Sequence, residues 1–584
     1  MRPCGSFSNK FFTALFLLAI AIFVRQFKWR NISGDIRRVI KFLSRLELSY
    51  RPLPQKMPGP RVIVGFGGCV DLRIRAIPLL SSLGWHPPNA TMEQLRGYTH
   101  TDALDSTETV LMSFASAFIS GAAVERVLLN DALFDQLLHA ATNILPEELR
   151  NDFHAPLSPD PCPERPHATA SGSFSLGGNA LVMAVRLARE GADVALAARL
   201  SPRMRASLPP EIRILEAPAN FGLHSVPKED VHLILEYDAG ESWDGLIAPR
   251  ANRYILVRDE ENPRLSGLWP DLLDVWRDSV LHTPSHGKPR RSPTRDIFPD
   301  LVVVGGLQVM DQLNSAHAPA TLSPPLFISN SPGLNEQELP NLASLVSNGT
   351  VTSISSAYPR AAHMIDAVRT VWASLTDRNL PRVNSAVGAR WRRLSRIHLH
   401  TIAHQFLIVR RPAHGGESAR RYLDSVRNAG GLPARVTDVG LAWPFTRAAV
   451  AKASLIANRY TCGSSTIDPK KTVLLVDDSF AVTADPDKWG PSISHLSKPS
   501  EGDIPRIHFN ATDPVTCWTE PEPTLPGHSD QRHPDEVGLS DFATHVEICV
   551  SPVLVCSKVI RTVGAGDNIS AGALRVQLKS RAQG

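Results

Sequence analysis

From Arg61 onward, short runs of aliphatic and β-branched residues alternate with stretches whose apolar positions recur at helical spacing. The runs at 61–64, 194–198, 232–236, 254–257, 301–304, 397–400, 473–476 and 553–555 predict strands. Several are apolar at nearly every position, the pattern of strands covered on both faces. Residues 179–190 keep their apolar side chains on one side and stop at Gly191, which predicts a helix feeding the strand at Val194. Strands alternating with helices in this way predict an α/β fold built on a mostly parallel sheet with helices on its faces. Three Pro-, Ser- and Gly-rich stretches interrupt the pattern, at 156–166, 282–295 and 485–540. The longest has few apolar residues to bury and reads as a disordered insertion.

Composition narrows the class. With 584 residues the chain is long enough to bury a large core, and its net charge of +5 is small and scattered, so no nucleic-acid surface is expected. None of the seven cysteines stand at C-x-x-C spacing, which argues against a zinc ribbon; one or two disulfides among the late cysteines remain open. Phe11 to Val24 is an uncharged run with basic residues on both sides. It is shorter than the roughly 20 residues that span a bilayer. Residues 1–30 therefore read as a signal peptide or an uncleaved anchor, with 31–60 as a linker. Entry into the secretory pathway, most simply the endoplasmic reticulum, follows. Membrane contact is expected only through that segment, and a monomer is expected.

Three segments carry candidate chemistry. In Gly564-Ala565-Gly566-Asp567, glycines precede a helical stretch, so backbone N–H groups can approach an anion while the aspartate stands beside it. Such an acid can accept the proton of an attacking hydroxyl; a simple helix cap would also favour Asp. Gly177-Gly178-Asn179 opens a helix and suits a sugar hydroxyl, although Gly-Gly-Asn is often only a turn and a cap. Asn335 to Glu338 reads by itself more readily as a solvated helix start, although one acid there would suffice for a hydrated magnesium ion.

These motifs occur in an ordered series with 231–237, 251–255, 299–303, 396–401 and 552–556, and over some 500 residues the chain resembles the eukaryotic ADP-dependent glucokinases of the ribokinase-like superfamily. The resemblance implies a smaller β-rich lid over the α/β domain and transfer of the β-phosphoryl group of ADP to the 6-hydroxyl of glucose, with Mg2+. It implies Asp567 as base and metal ligand, Gly564, Ala565 and Gly566 as the anion hole, and Glu338 at the metal. Asp71, placed at the end of the first strand, would bind sugar together with Gly177, Gly178 and Asn179. Arg253 and Asn335 would bind nucleotide, with His400 and Thr401 bordering the adenine pocket, and Glu236 and Tyr237 would be lid structure. His398 and His400, alternating along a strand, are read as facing opposite sides.

Two departures stand out. Gly67 occupies a position where the family carries Asn, and the family's His-x-Glu metal element has no counterpart, since no glutamate occurs between Asp311 and Leu334. A catalytically impaired member that binds sugar or nucleotide is thus the alternative reading.

Overall fold

A computed structural model describes residues 35–50, 59–98, 104–147, 150, 172–215, 226–261, 275–276, 299–304, 333–348, 360–376, 394–411, 443–477, 479–485, 504–524, 545–561 and 563–578. The apolar run at 11–24, the loops at 156–166 and 282–295, and the segment at 305–332 lie outside the described residues.

Most of the continuous apolar runs form strands, but the run at 473–476 gives only Val473 of the two-residue strand Thr472–Val473, with Val473 and Leu475 exposed, and the run at 553–555 only Val555 of Val555–Cys556. Leu301–Val304, Arg61–Gly65, Asp193–Ala197 and Arg213–Leu215 make a fully parallel sheet in that order. A second sheet runs Gly333–Asn335, Arg396–His400, His404–Arg411, His545–Pro552, Thr516–Pro521; its first pair is parallel and the rest antiparallel. The helices Asn179–Arg189, Thr446–Thr461 and Ala565–Gln577 pack together, and one core joins them to both sheets, with Val62, Leu196, Leu407, Ile456 and Leu574 all buried in it. The mixed α/β architecture expected from the sequence is present.

The lid is a five-stranded sheet in the order Val124–Val127, Asn252–Arg258, Val231–Tyr237, Cys69–Arg75, Ser173–Gly177. It is less purely β than expected. An aromatic core of Phe114, Phe118, Tyr237, Trp243 and Tyr254, reinforced by Leu72, Ile74, Leu233 and Leu256, binds the helices Ala76–Ser82, Thr107–Ser120 and Asp131–Asn143 to one face. Side chains alternate across a strand. The residues between these core positions, Asp71, Arg73, Glu125, His232, Glu236 and Arg253, are therefore committed to the other face. Asp71 lies inside the second strand, not at the end of the first, because a Gly67-Gly68 turn separates the two.

Two stretches read as unstructured have structure. Residues 35–49, within the expected linker, form a helix that buries Ile36, Val39 and Leu43, and Glu47 accepts two bonds of 2.9 Å from Arg459. Within 485–540, Thr516–Pro521 is the edge strand of the second sheet, pinned to its neighbour by a Cys517–Cys549 disulfide. Its Glu520, 1% exposed, accepts two bonds from the buried Arg369 of the Ala361–Thr376 helix. Other late cysteines pair as Cys462–Cys556.

If the 35–49 helix is an integral part of the fold, Leu43→Ala should cost about 2–5 kcal/mol. A clear fall in the melting temperature of the variant checks this, since a true linker residue would leave it unchanged.

Candidate active site

The Ala565–Gln577 helix begins directly after Gly564, whose φ of +69° is a left-handed conformation that glycine adopts without strain. A β-carbon there would come within 3.2 Å of the Tyr460 hydroxyl and 3.4 Å of Val182. The anion-binding turn is thus the first turn of the helix itself, and the N–H groups of Ala565, Gly566 and Asp567 are among those with no intrahelical acceptor. The approach to the turn is clamped. The Tyr460 hydroxyl donates to the Val563 carbonyl at 2.5 Å, Ile560 N–H donates to Thr461 O at 2.8 Å, and Cys462–Cys556 ties the same helix end to the strand Val555–Cys556.

Asp567 stands in that first turn. Burial pushes its carboxyl up to about 6; Arg253 opposes the rise, while Asp71 and Glu125 add to it. Glu338 opens the helix Glu338–Asn348, and burial pushes it up to about 7, opposed by the Asn335 N–H and reinforced by Asp567, Glu336 and Glu125. The Asn335–Glu338 turn is closed reciprocally. Glu338 Oε2 accepts from Asn335 N–H at 2.8 Å, and Asn335 Oδ1 accepts from the N–H groups of Gln337 and Glu338 at 2.8 and 2.9 Å. The oxygen of Asn335 is thereby spent on the turn.

On the lid side, Asp71 is buried, and its burial raises its carboxyl while His232, Cys69, Arg73 and Arg253 oppose the rise. Its carboxylate packs against Gly177, where any β-carbon would collide with it. Gly178, with φ of +86°, caps the helix that starts at Asn179 and lies against Gly68. Asp71, Glu125 and Arg253 of the lid's polar face all act on Asp567, so that face and the first turn of the helix lie within electrostatic reach of one another.

His400 is placed differently from expectation. Its strand pairs with Gly333–Asn335 so that His400 is opposite Asn335, and a β-carbon on Gly566 would be 2.6 Å from His400 Nε2. It abuts the anion turn, and burial lowers it to about 4, so it is neutral at pH 7. Nor do His398 and His400 face opposite sides. Their ring centroids are 5.9 Å apart, because residues two apart in a strand share a face. Thr401 shapes the hairpin, its hydroxyl accepting from His404 N–H at 2.9 Å and donating to His404 O at 3.0 Å. A small pocket of about 20 Å³ lies beyond, lined by His404, Val476, Phe480, Ile507, Phe509 and Pro552 among others. Ile507 and Phe509 come from the stretch read as a disordered insertion.

Sequence reasoning passed over Glu125. It lies on the four-residue strand Val124–Val127, and burial raises its carboxyl, with His232 opposing and Asp259 adding. The available signal was a lone acid inside the short run from Ala122 to Leu129, bounded by the Gly121 turn and the Asn130 helix cap.

The chain is 26% identical to the ADP-dependent glucokinase of Bos taurus over 88% of its own length and 84% of that protein's. With the probable ADP-dependent glucokinase of Caenorhabditis elegans it shares 22% identity, over 88% and 84%. A solved ADP-dependent kinase in complex with fructose-6-phosphate and ADPβS shares 13% identity, covering 94% of this chain and 98% of that one at a TM-score of 0.47. The family described as the ADP-specific phosphofructokinase/glucokinase conserved region matches residues 60–150, 166–323, 314–429 and 434–576, and with the cleft just described this match identifies the chain as a member of that family of ADP-dependent sugar kinases.

Proposed function

We propose that this chain phosphorylates glucose at its 6-hydroxyl with ADP as donor, releasing AMP and glucose 6-phosphate. The observation that carries the reading is the position of Asp567, in the first turn of a helix whose glycine-led N–H groups are free to receive phosphate. In this reading Asp567 takes the proton from the sugar hydroxyl while the turn amides receive charge developing on the transferred group. Asp71 and Glu125 accept hydrogen bonds from the remaining hydroxyls. The relatives named as ADP-dependent glucokinases support glucose as the acceptor. Closure of the lid over the sugar would keep water from the phosphoryl group.

Mg2+ is the expected cofactor. Glu338, exposed, and Asp567, half-buried, are two carboxylates each pushed up in pKa, with Asp567 raising Glu338 further, a donor set suited to a hydrated hard cation. When bound, the ion would neutralise phosphate charge. The absence of glutamate between Asp311 and Leu334 keeps a second reading alive, that of an impaired member that binds ligands without turnover. The basic-flanked run at 11–24 and the two disulfides support a secretory-pathway location, where thiols oxidise.

A coupled assay for glucose 6-phosphate with ADP, glucose and magnesium tests the reading. Product is expected, and Asp567→Asn should lower kcat by about 10²–10⁴ while AMP binding persists. Well-folded protein that binds AMP but makes no product would favour the second reading.

A base must be ionised to work, so a raised pKa moves the loss of activity upward in pH. The kcat/KM profile should fall as pH drops through about 6. Because the Glu125 charge helps raise Asp567, Glu125→Gln should shift this limb to lower pH; an unmoved limb would dissociate Glu125 from the site.

Gly566→Ala places a methyl group 2.6 Å from His400 Nε2. ADP affinity, read by calorimetry, should fall about tenfold or more, a change of about 1.4 kcal/mol. Adding His400→Ala should restore part of it, since the two effects share one contact.

A further inference from the structure

Phosphoryl transfer uses Asp71 but gives no task to the groups packed round it. Cys69, Asp71 and His232 each offer a metal-ligating atom, and these atoms all lie within 4.8 Å of one another. All three residues are buried, at 0%, 4% and 8% exposure. Cys69 is a free thiol whose sulfur is 3.4 Å from Asp71 Oδ1. Zinc bound tetrahedrally, with Zn–S of about 2.3 Å and Zn–O of about 2.0 Å, holds sulfur and oxygen about 3.5 Å apart. The pair already stands at that spacing.

Backbone pairing sets this geometry, with no contribution from a loop. Cys69 and Asp71 are two apart on one strand and so share a face. His232 is the register partner of Asp71 on the adjacent parallel strand. His232 Nε2 bonds Asp259 Oδ1 at 3.0 Å, in a buried pair. This engages one ring nitrogen and leaves Nδ1 for a ligand, and a carboxylate behind an imidazole is the arrangement that orients metal-binding histidines.

We propose that Cys69, Asp71 and His232 form a binding site for a thiophilic divalent cation of the Zn2+ type, oriented by Asp259, and that its occupation excludes sugar. The exclusion rests on the reading of Asp71 as a sugar ligand, because one carboxylate cannot serve both. On binding, the cation displaces the thiol proton of Cys69, and the proton on His232 where that ring is charged, to solvent. Thiolate and carboxylate then match its two charges, and a fourth position is left for water. Magnesium, which prefers oxygen donors, is not expected there.

The test uses Co2+ as a spectroscopic probe of the full chain, with the disulfides intact. A thiolate-to-cobalt band in the near ultraviolet is expected for the wild type. Cys69→Ser should abolish it, equimolar Zn2+ should displace it, and saturating glucose should suppress it. Asp259→Asn should weaken Co2+ binding about 10–100-fold. His232→Gln, which keeps a side chain able to bond Asp259, provides a second ligand deletion should Cys69→Ser fail to fold; retained melting temperature identifies the usable variant. No band in the wild type, or an equal band in the usable ligand variant, overturns the site. A band indifferent to glucose overturns the exclusion, provided calorimetry on metal-free protein shows that glucose binds; if glucose does not bind there, the sugar reading has failed, and the cobalt band alone decides the metal site.

Discussion

Acid side chains brought together from the body and the lid are the constraint around which this site is built. Asp567 and Glu338 come from the body, Asp71 and Glu125 from the lid, and burial raises all four carboxyls. Charge repulsion compounds the effect, with Asp71 and Glu125 acting on Asp567, and Asp567 and Glu125 on Glu338. Carboxylates free to move would swing toward solvent. Three of the four are instead held by backbone: Asp567 by the first turn of a helix, Glu338 by the Asn335 N–H, Asp71 by a strand pair and the surface of Gly177. Arg253 opposes the rise at Asp567, Asp71 and Glu125, so one lid cation serves acids on both sides of the cleft. A neutral polyol meets such a surface as a set of hydrogen-bond acceptors.

The parts of this arrangement that were legible in the sequence are those whose local chemistry is self-sufficient. Gly564-x-Gly566-Asp567 announces a turn, a helix start and an acid together, whatever surrounds it. The buried strands were legible for the same reason: runs such as Val62–Val64 are apolar without help from context. Glu125 was not, because its strand is four residues long and gains meaning only when Asn252–Arg258 pairs beside it. Asp71 was assigned to the wrong strand because the hydrophobic run continues across the Gly67-Gly68 turn, and period alone does not register a break. His398 and His400 were misplaced by a slip in applying that same period.

The stretch at 485–540 shows a different limit. Averaged composition, rich in Pro, Ser and Gly, hides the short segment from Thr516 to Pro521 that buries Trp518 and Glu520 and closes the edge of a sheet. Glu520 would be a poor choice for a core on its own. It is stable there because Arg369, 2% exposed, meets it with two hydrogen bonds, so neither charge is left unpaired. A pair separated by 151 residues cannot be read from either partner's neighbourhood.

The same dependence on distant pairing governs the phosphoryl site. Among the described residues, Gly333–Asn335 pairs only with Arg396–His400, through three register partners. That short pairing places Asn335 opposite His400, His400 abuts Gly566, and Asn335 holds Glu338. The relation between the two carboxylates proposed to hold magnesium is therefore transmitted through one short parallel pair, and a slip of one residue would turn Asn335 to the other face.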